Sequence, residues 1–211
     1  MNTWTCKGLA LGLAGLVALG GCDEALLTTS GATPQEVRMV DLGSGAVTLV
    51  APSGFCVDPR STRARFALMA RCDTLGIDGF FDAPLALITA TAVNARSDGP
   101  ITTDDLGAGS EAVLNRIEQD GITVLQVQGT PPKPSLRGTY WRAASRVGTQ
   151  IVGLTLYQSN DAPAIGNRAA QLLIQTLERT RAQSGAPPPA DNSATTTRNR
   201  RGVPLFSGLF E

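Results

Sequence analysis

The side chains able to do chemistry are few, and their types exclude more than they offer. The chain carries four cysteines (Cys6, Cys22, Cys56 and Cys72) and no histidine. Without imidazole there is no His general base, no His metal ligand and no Ser–His or Cys–His nucleophile pair. No Ser-x-x-Lys, Gly-x-Ser-x-Gly or phosphate-cradling glycine loop is present either. The 18 carboxylates admit a carboxylate-pair enzyme in principle, but no two stand out by spacing. Asp73, Asp78 and Asp82 share one glycine-containing loop, yet they lack the alternation of a calcium-binding loop, so an ordinary acidic turn and no metal are expected. Arg60, Arg63, Arg65 and Arg71 form a local basic cluster. Arg142 and Arg146 fall on one strand face with Tyr140, because side chains alternate along a strand. Either group suits an anionic ligand such as a phosphate or a wall polymer, against the plainer reading of a solvated face with acidic neighbours. No cofactor is implied.

What the cysteines do depends on where the chain goes. Met1 to Lys7 holds a single positive charge, and Gly8 to Gly21 is a run of 14 small and apolar residues. A bilayer span needs about 20 residues, so the run is short for a membrane helix and reads as an export leader. Its end, Leu19-Gly20-Gly21-Cys22, resembles the lipobox of bacterial lipoproteins. That resemblance implies cleavage between Gly21 and Cys22 and a diacylglycerol thioether on the Cys22 thiol. Two or three acyl chains anchor a protein stably where one does not. Asp23 follows the cysteine. In enteric members of the group an aspartate there favours the inner membrane, so the inner is expected over the outer, with the body facing the periplasm. The competing readings are a plain cleaved signal or a short uncleaved anchor.

Cys56 and Cys72 then remain as an even pair in an oxidising compartment, and a disulfide is expected. Closing the 15-residue loop between them is worth about 3 kcal/mol in the chain-entropy picture. Redox pairs usually lie two residues apart, and no other sulfur or imidazole completes a metal shell.

These groups must be positioned by what is, at 211 residues, one ordinary domain with tails. Lys+Arg and Asp+Glu both number 18. With no basic excess, a nucleic-acid partner is disfavoured. Losing Lys7 with the leader makes the mature net charge −1, which gives no pull toward anionic lipid. Residues 22 to 45, mixing Thr, Ser, Gly and Pro, read as a tether, with Val37 to Leu42 able to begin the fold. Residues 46 to 182 read as the folded domain. Strands are expected over Val47–Val50, Phe55–Val57, Phe66–Cys72 (with Phe66, Leu68, Ala70 and Cys72 on one face), Leu85–Val93, Ile122–Gln128, Arg137–Val147 and Gln150–Tyr157. Gly148-Thr149 suits a type II′ hairpin between the last two. Ser110 is expected to cap a helix over Glu111–Gln119, with Val113, Leu114 and Ile117 as its stripe and Gly121 near its stop. Ile165, Ala169, Leu172, Leu173 and Leu177 mark a second helix running to Arg181.

Strands and helices in blocks predict an α+β fold with a mainly antiparallel sheet of about six strands and two helices. Over residues 46 to 182 this element order resembles the PsbP/Mog1-like fold. That resemblance implies a binding or assembly factor rather than an enzyme. Residues 183 to 197 are of low complexity and expected to be disordered. Four apolar residues, Leu205, Phe206, Leu209 and Phe210, stand at the end of this arm. They are the candidate partner-binding element, against docking on their own domain or no role. The expected function is a lipid-anchored, non-enzymatic binding or assembly lipoprotein of the bacterial envelope. Its partners would be the membrane and an envelope protein. An envelope-acting enzyme using carboxylates or arginines and a purely structural lipoprotein are the alternatives.

Overall fold

A computed structural model describes residues 35–79 and 81–185. The frame is a seven-stranded, wholly antiparallel sheet in the order β3-β4-β5-β9-β8-β7-β6, accompanied by a separate β1–β2 hairpin. The strands are β1 (Met39–Leu42), β2 (Val47–Val50), β3 (Phe55–Val57), β4 (Phe66–Arg71), β5 (Ala86–Asn94), β6 (Ala112–Gln119), β7 (Ile122–Gln128), β8 (Thr139–Val147) and β9 (Gln150–Gln158). Two helices, α1 (Thr103–Gly107) and α2 (Asn167–Gln183), complete an α+β architecture.

Helix α2 and the β1–β2 hairpin cover one face of the sheet. Ala169, Ala170, Leu173, Ile174 and Leu177 recur at helical spacing and are buried against Leu49, Val124, Trp141, Ala143 and Leu154. The opposite face holds a smaller core of Leu125, Val127, Tyr140, Ala144, Ile151 and Tyr157, closed by Leu106 of α1. Strands β5 and β9 pair over nine residues, from Ala86 opposite Gln158 to Asn94 opposite Gln150. Their run of β-branched and small residues is buried on both faces, as a central strand requires.

Turn chemistry accounts for much of the path. Gly148 takes φ 57° between β8 and β9, in keeping with the expected II′ turn. Gly54 takes φ 80°, and a Cβ there would stand 2.5 Å from the Cβ of Ala83, so only glycine fits without a shift.

Three expectations need correction. Glu111–Gln119 is not a helix: Ala112–Gln119 forms β6, the outermost strand, paired with β7. Asp120 and Gly121 both take positive φ, 48° and 68°, the signature of a type I′ hairpin. Ser110 caps nothing, and its buried Oγ has no hydrogen-bond partner. The first helix is instead α1, where Thr102 and Asp105 form a reciprocal capping box. In β4 Phe66, Leu68 and Ala70 do share a face, half-buried, opposite the fully buried Ala67 and Met69; Cys72 alone departs from the expectation, having left the strand for a 3-10 turn. Finally, the tether is shorter than read: within Val37 to Leu42, the part of it able to begin the fold, Met39–Leu42 does so as β1. It pairs with β2 from Met39 opposite Val50 to Leu42 opposite Val47, and the Val57 N–H donates to the Val37 carbonyl at 2.8 Å.

Candidate functional site

The two cysteines meet because β3 and β4 bring them there. Cys56 sits opposite Ala70 in register, and the 3-10 turn over Cys72–Leu75 returns Cys72 to it. The Cys56–Cys72 disulfide has an S–S distance of 1.98 Å and a Cα–Cα distance of 4.9 Å, and both residues are fully buried. The Glu36 carboxylate lies within 4.8 Å of the sulfurs. A metal needs thiolates, and sulfurs bonded to each other have none to give.

Beside the disulfide, Arg71 grips Asp73 with both prongs, Nε to Oδ1 at 2.7 Å and NH2 to Oδ2 at 2.6 Å. The guanidinium's hydrogen bonds hold the Asp73 carboxyl below its usual range. Asp73, Asp78 and Asp82 do not gather into an oxygen cage; the ligand-type trio found among the described residues is Glu36 with the two cysteines. Arg71 is likewise separated from Arg60, Arg63 and Arg65, which occupy the exposed β3–β4 connection. There Arg63 NH1 donates to the carbonyls of Arg60 and Thr62, and Asp58 Oδ1 accepts the Arg60 N–H.

The β8 arginines do share a face, and the structure shows what each guanidinium holds. Arg142 is 8% exposed, and its NH1 donates to Leu106 O of α1 at 3.1 Å and to Ala108 O, just past the end of that helix, at 2.7 Å. Its guanidinium carbon lies 5.4 Å from the Tyr140 ring centroid. Arg146 NH2 donates to Ser97 O at 2.6 Å and Gly99 O at 3.1 Å, with Asp98 at 3.9 Å. Together they fasten residues 97–108 over the smaller core. Beneath them the Tyr140 and Tyr157 rings pack 4.9 Å apart and tilted by 39°. Burial chiefly, helped by Tyr140 and opposed by Arg142, pushes the Tyr157 hydroxyl up to about 12.

Two further arginines work the same way and were not singled out by sequence. Arg181 of α2 is 6% exposed; it donates to Ser145 Oγ through Nε at 2.7 Å and NH2, and to Asp120 O through NH1 at 2.7 Å. Burial lowers its pKa, while the charges of Glu178 and Asp120 pull the other way. Its position four residues beyond Leu177, on the buried stripe, was the available signal. Arg137 donates to the carbonyls of Ser159, Asn160 and Ala162. A guanidinium carries five donors in a plane, so one side chain can satisfy several loop carbonyls at once.

A cleft of about 240 Å³ lies between α2 and residues 82–84, lined by Ser53, Asp82, Arg168, Gln171, Leu172 and Gln175 among others. Arg168 NH2 donates to the Asp82 carbonyl across it at 3.3 Å. Gly21, Cys22, Leu205, Phe206, Leu209 and Phe210 lie outside the described residues. Among the described residues no helix is long and apolar enough to cross a membrane.

The architecture defines an α+β protein with one main antiparallel sheet and helices packed on both faces. No family model matches the chain, and no curated protein matches it. Among solved structures it is similar to the Ran-binding protein Mog1p of Saccharomyces cerevisiae, at 16% identity and a TM-score of 0.44, covering 68% of this chain and 93% of that one. It is also similar to the cyanobacterial PsbP (CyanoP) of Synechocystis sp., at 10% identity and a TM-score of 0.36, covering 71% of this chain and 94% of that one. These are the two names that the order of elements suggested. Likenesses this loose say nothing of function.

Proposed function

We propose that this protein is a lipid-anchored binding or assembly factor of the bacterial envelope, facing the periplasm and working without catalysis. The anchor is Cys22, acylated after cleavage behind Leu19-Gly20-Gly21, with the inner membrane favoured by Asp23. Cys22 and the first strand at Met39 are 17 positions apart, enough chain to carry the domain clear of the membrane surface. A buried disulfide in the domain fits an oxidising compartment.

The observation that carries the non-catalytic part is the use of the arginines. Arg137, Arg142, Arg146 and Arg181 donate to main-chain carbonyls or a serine hydroxyl of their own fold. Arg142 and Arg146, the strand pair suited by position to grip an anionic substrate, are thus engaged in holding loops. Recognition then belongs to surfaces outside these staples, and the apolar end at Leu205, Phe206, Leu209 and Phe210 is the partner-seeking element.

Two measurements test this. Palmitate label incorporated into the wild-type chain and lost in Cys22→Ala supports the anchor; incorporation unchanged removes it. Crosslinking and pull-down from membranes, with and without the arm, test recognition. The cut belongs after Gly185, because Ser184 Oγ accepts the Thr48 N–H at 2.9 Å and is part of the fold. Partners retained in full by the truncated chain would exclude the arm as the recognition element.

A further inference from the structure

The seven-stranded sheet has two edges, and they are treated differently. At one edge, β3 is three residues long and its Val57 N–H is taken by the Val37 carbonyl. At the other, β6 is eight residues long, and among the described residues no strand pairs with its outer side. All but one of its residues are exposed, including Leu114 at 51% and Val113 at 45%.

The pattern within β6 says what fits there. Pairing with β7 is regular from Gln119 opposite Ile122 back to Asn115 opposite Gln126, and is interrupted by a bulge at Leu114. In a two-residue I′ hairpin the residues flanking the turn form the hydrogen-bonded pair. Gln119, Ile117 and Asn115 therefore bond to β7, and Arg116 and Glu118 point their N–H and C=O outward. The Arg116 N–H is in fact met by Asn115 Oδ1 at 2.8 Å, not by β7.

The regular edge is thus the five-residue segment Asn-Arg-Ile-Glu-Gln, bounded by the bulge and the turn. Read antiparallel against itself about Ile117, it is complementary at every position. Asn115 falls opposite Gln119, Arg116 opposite Glu118, and Ile117 opposite Ile117. Within one chain Arg116 and Glu118 already form an ion pair on one side of the strand, more than half exposed. We propose that β6 is a self-pairing edge. Two copies of this chain join antiparallel about a two-fold axis at Ile117, through four main-chain hydrogen bonds and two Arg116–Glu118 ion pairs, and continue the sheet across the interface; in each copy the Arg116 N–H exchanges Asn115 Oδ1 for the other copy's Glu118 carbonyl. Five paired residues per copy bury little area, so the association belongs to the weak, transient class.

The test is disulfide trapping of the full chain in detergent extract. Ile117 sits at the non-hydrogen-bonded centre, where facing side chains come closest, so Ile117→Cys is expected to give a covalent dimer on oxidation. Leu85→Cys, also exposed but far from β6, is expected to give none. Adding Glu118→Arg sets Arg116 against an arginine and is expected to cut the trapped fraction about tenfold. The double reversal Arg116→Glu/Glu118→Arg restores complementarity and is expected to return it. Equal trapping at residues 85 and 117, or trapping indifferent to Glu118→Arg, overturns the proposal. Sedimentation of the unsubstituted chain guards against a folding defect in the cysteine variant, and a monomer at every concentration overturns the proposal as well.

Discussion

Arg142→Met separates two uses of one buried cation. As a ligand-gripping residue Arg142 would be costly to the fold, and its removal would leave stability unchanged or raised. As a staple it holds α1 in place, and its removal must be felt. Two N–H···O=C bonds to Leu106 and Ala108 disappear, and such charge-assisted bonds are worth about 1.5–3 kcal/mol each. The cation over the Tyr140 ring adds about 0.5–2 kcal/mol. Against this, a guanidinium only 8% exposed has been drawn out of water, and methionine returns much of that cost. The α1 carbonyls also regain water if the segment lifts. The balance is a net loss of roughly 2–3 kcal/mol, or about 4–12 °C in Tm for a domain of this size.

Equilibrium urea unfolding with the disulfide intact gives the global figure. Native-state hydrogen exchange gives the local one. The Leu106 N–H, bonded to Thr102 O at 3.1 Å, is expected to lose protection, while the amides shared by β5 and β9 change only by the global amount. A variant as stable as the parent, with Leu106 equally protected, would refute the staple and return Arg142 to the candidates for ligand contact.

Gly54→Ala is expected to cost about 1–3 kcal/mol, since the φ of 80° and the 2.5 Å approach to Ala83 both resist a Cβ; an unchanged urea midpoint would show that the 83–85 loop yields freely. Reducing the Cys56–Cys72 disulfide is expected to cost about 3 kcal/mol, read as the shift in urea midpoint with and without a dithiol. Tyr157 ionises near 12 in the folded chain against 10.0 unfolded. A raised folded-state pKa contributes stability that is complete below pH 10 and lost as pH rises through about 12. Tyr157→Phe should therefore flatten the alkaline limb of stability, and an ultraviolet titration should lose the tyrosinate step near 12. Asp73 has the opposite sign: its carboxyl is held low by Arg71, so its contribution is present above the ordinary aspartate range and fades as pH falls below it. Asp73→Asn should make the acid limb shallower.

How much of this was legible follows from where each residue sits. Strands β5, β7, β8 and β9 lie inside the sheet, and burial forces apolar or β-branched residues on them, so their pattern survives in the sequence. Strand β6 lies at the edge, with water on most of it, and Asn115, Arg116, Glu118 and Gln119 carry no alternation. Val113, Leu114 and Ile117 then imitate a helical stripe, although the bulge at Leu114 sets Val113 and Ile117 on opposite faces. Asp120-Gly121 was the better signal, because a turn with both φ values positive constrains sequence more tightly than three apolar residues do. Helix α1 spans five residues, too few for any period, and stands on a capping box and one buried leucine. The disulfide could be reasoned out because cysteines must be accounted for pairwise. The arginine staples could not, because a guanidinium's partner carbonyls are named by tertiary path and not by sequence: Arg142 and the carbonyls it holds lie 34 and 36 positions apart. The face shared by Arg142 and Arg146 was therefore readable, and what that face touches was not. The same asymmetry singles out β6, whose outward groups meet no other strand among the described residues and whose sequence is complementary to itself.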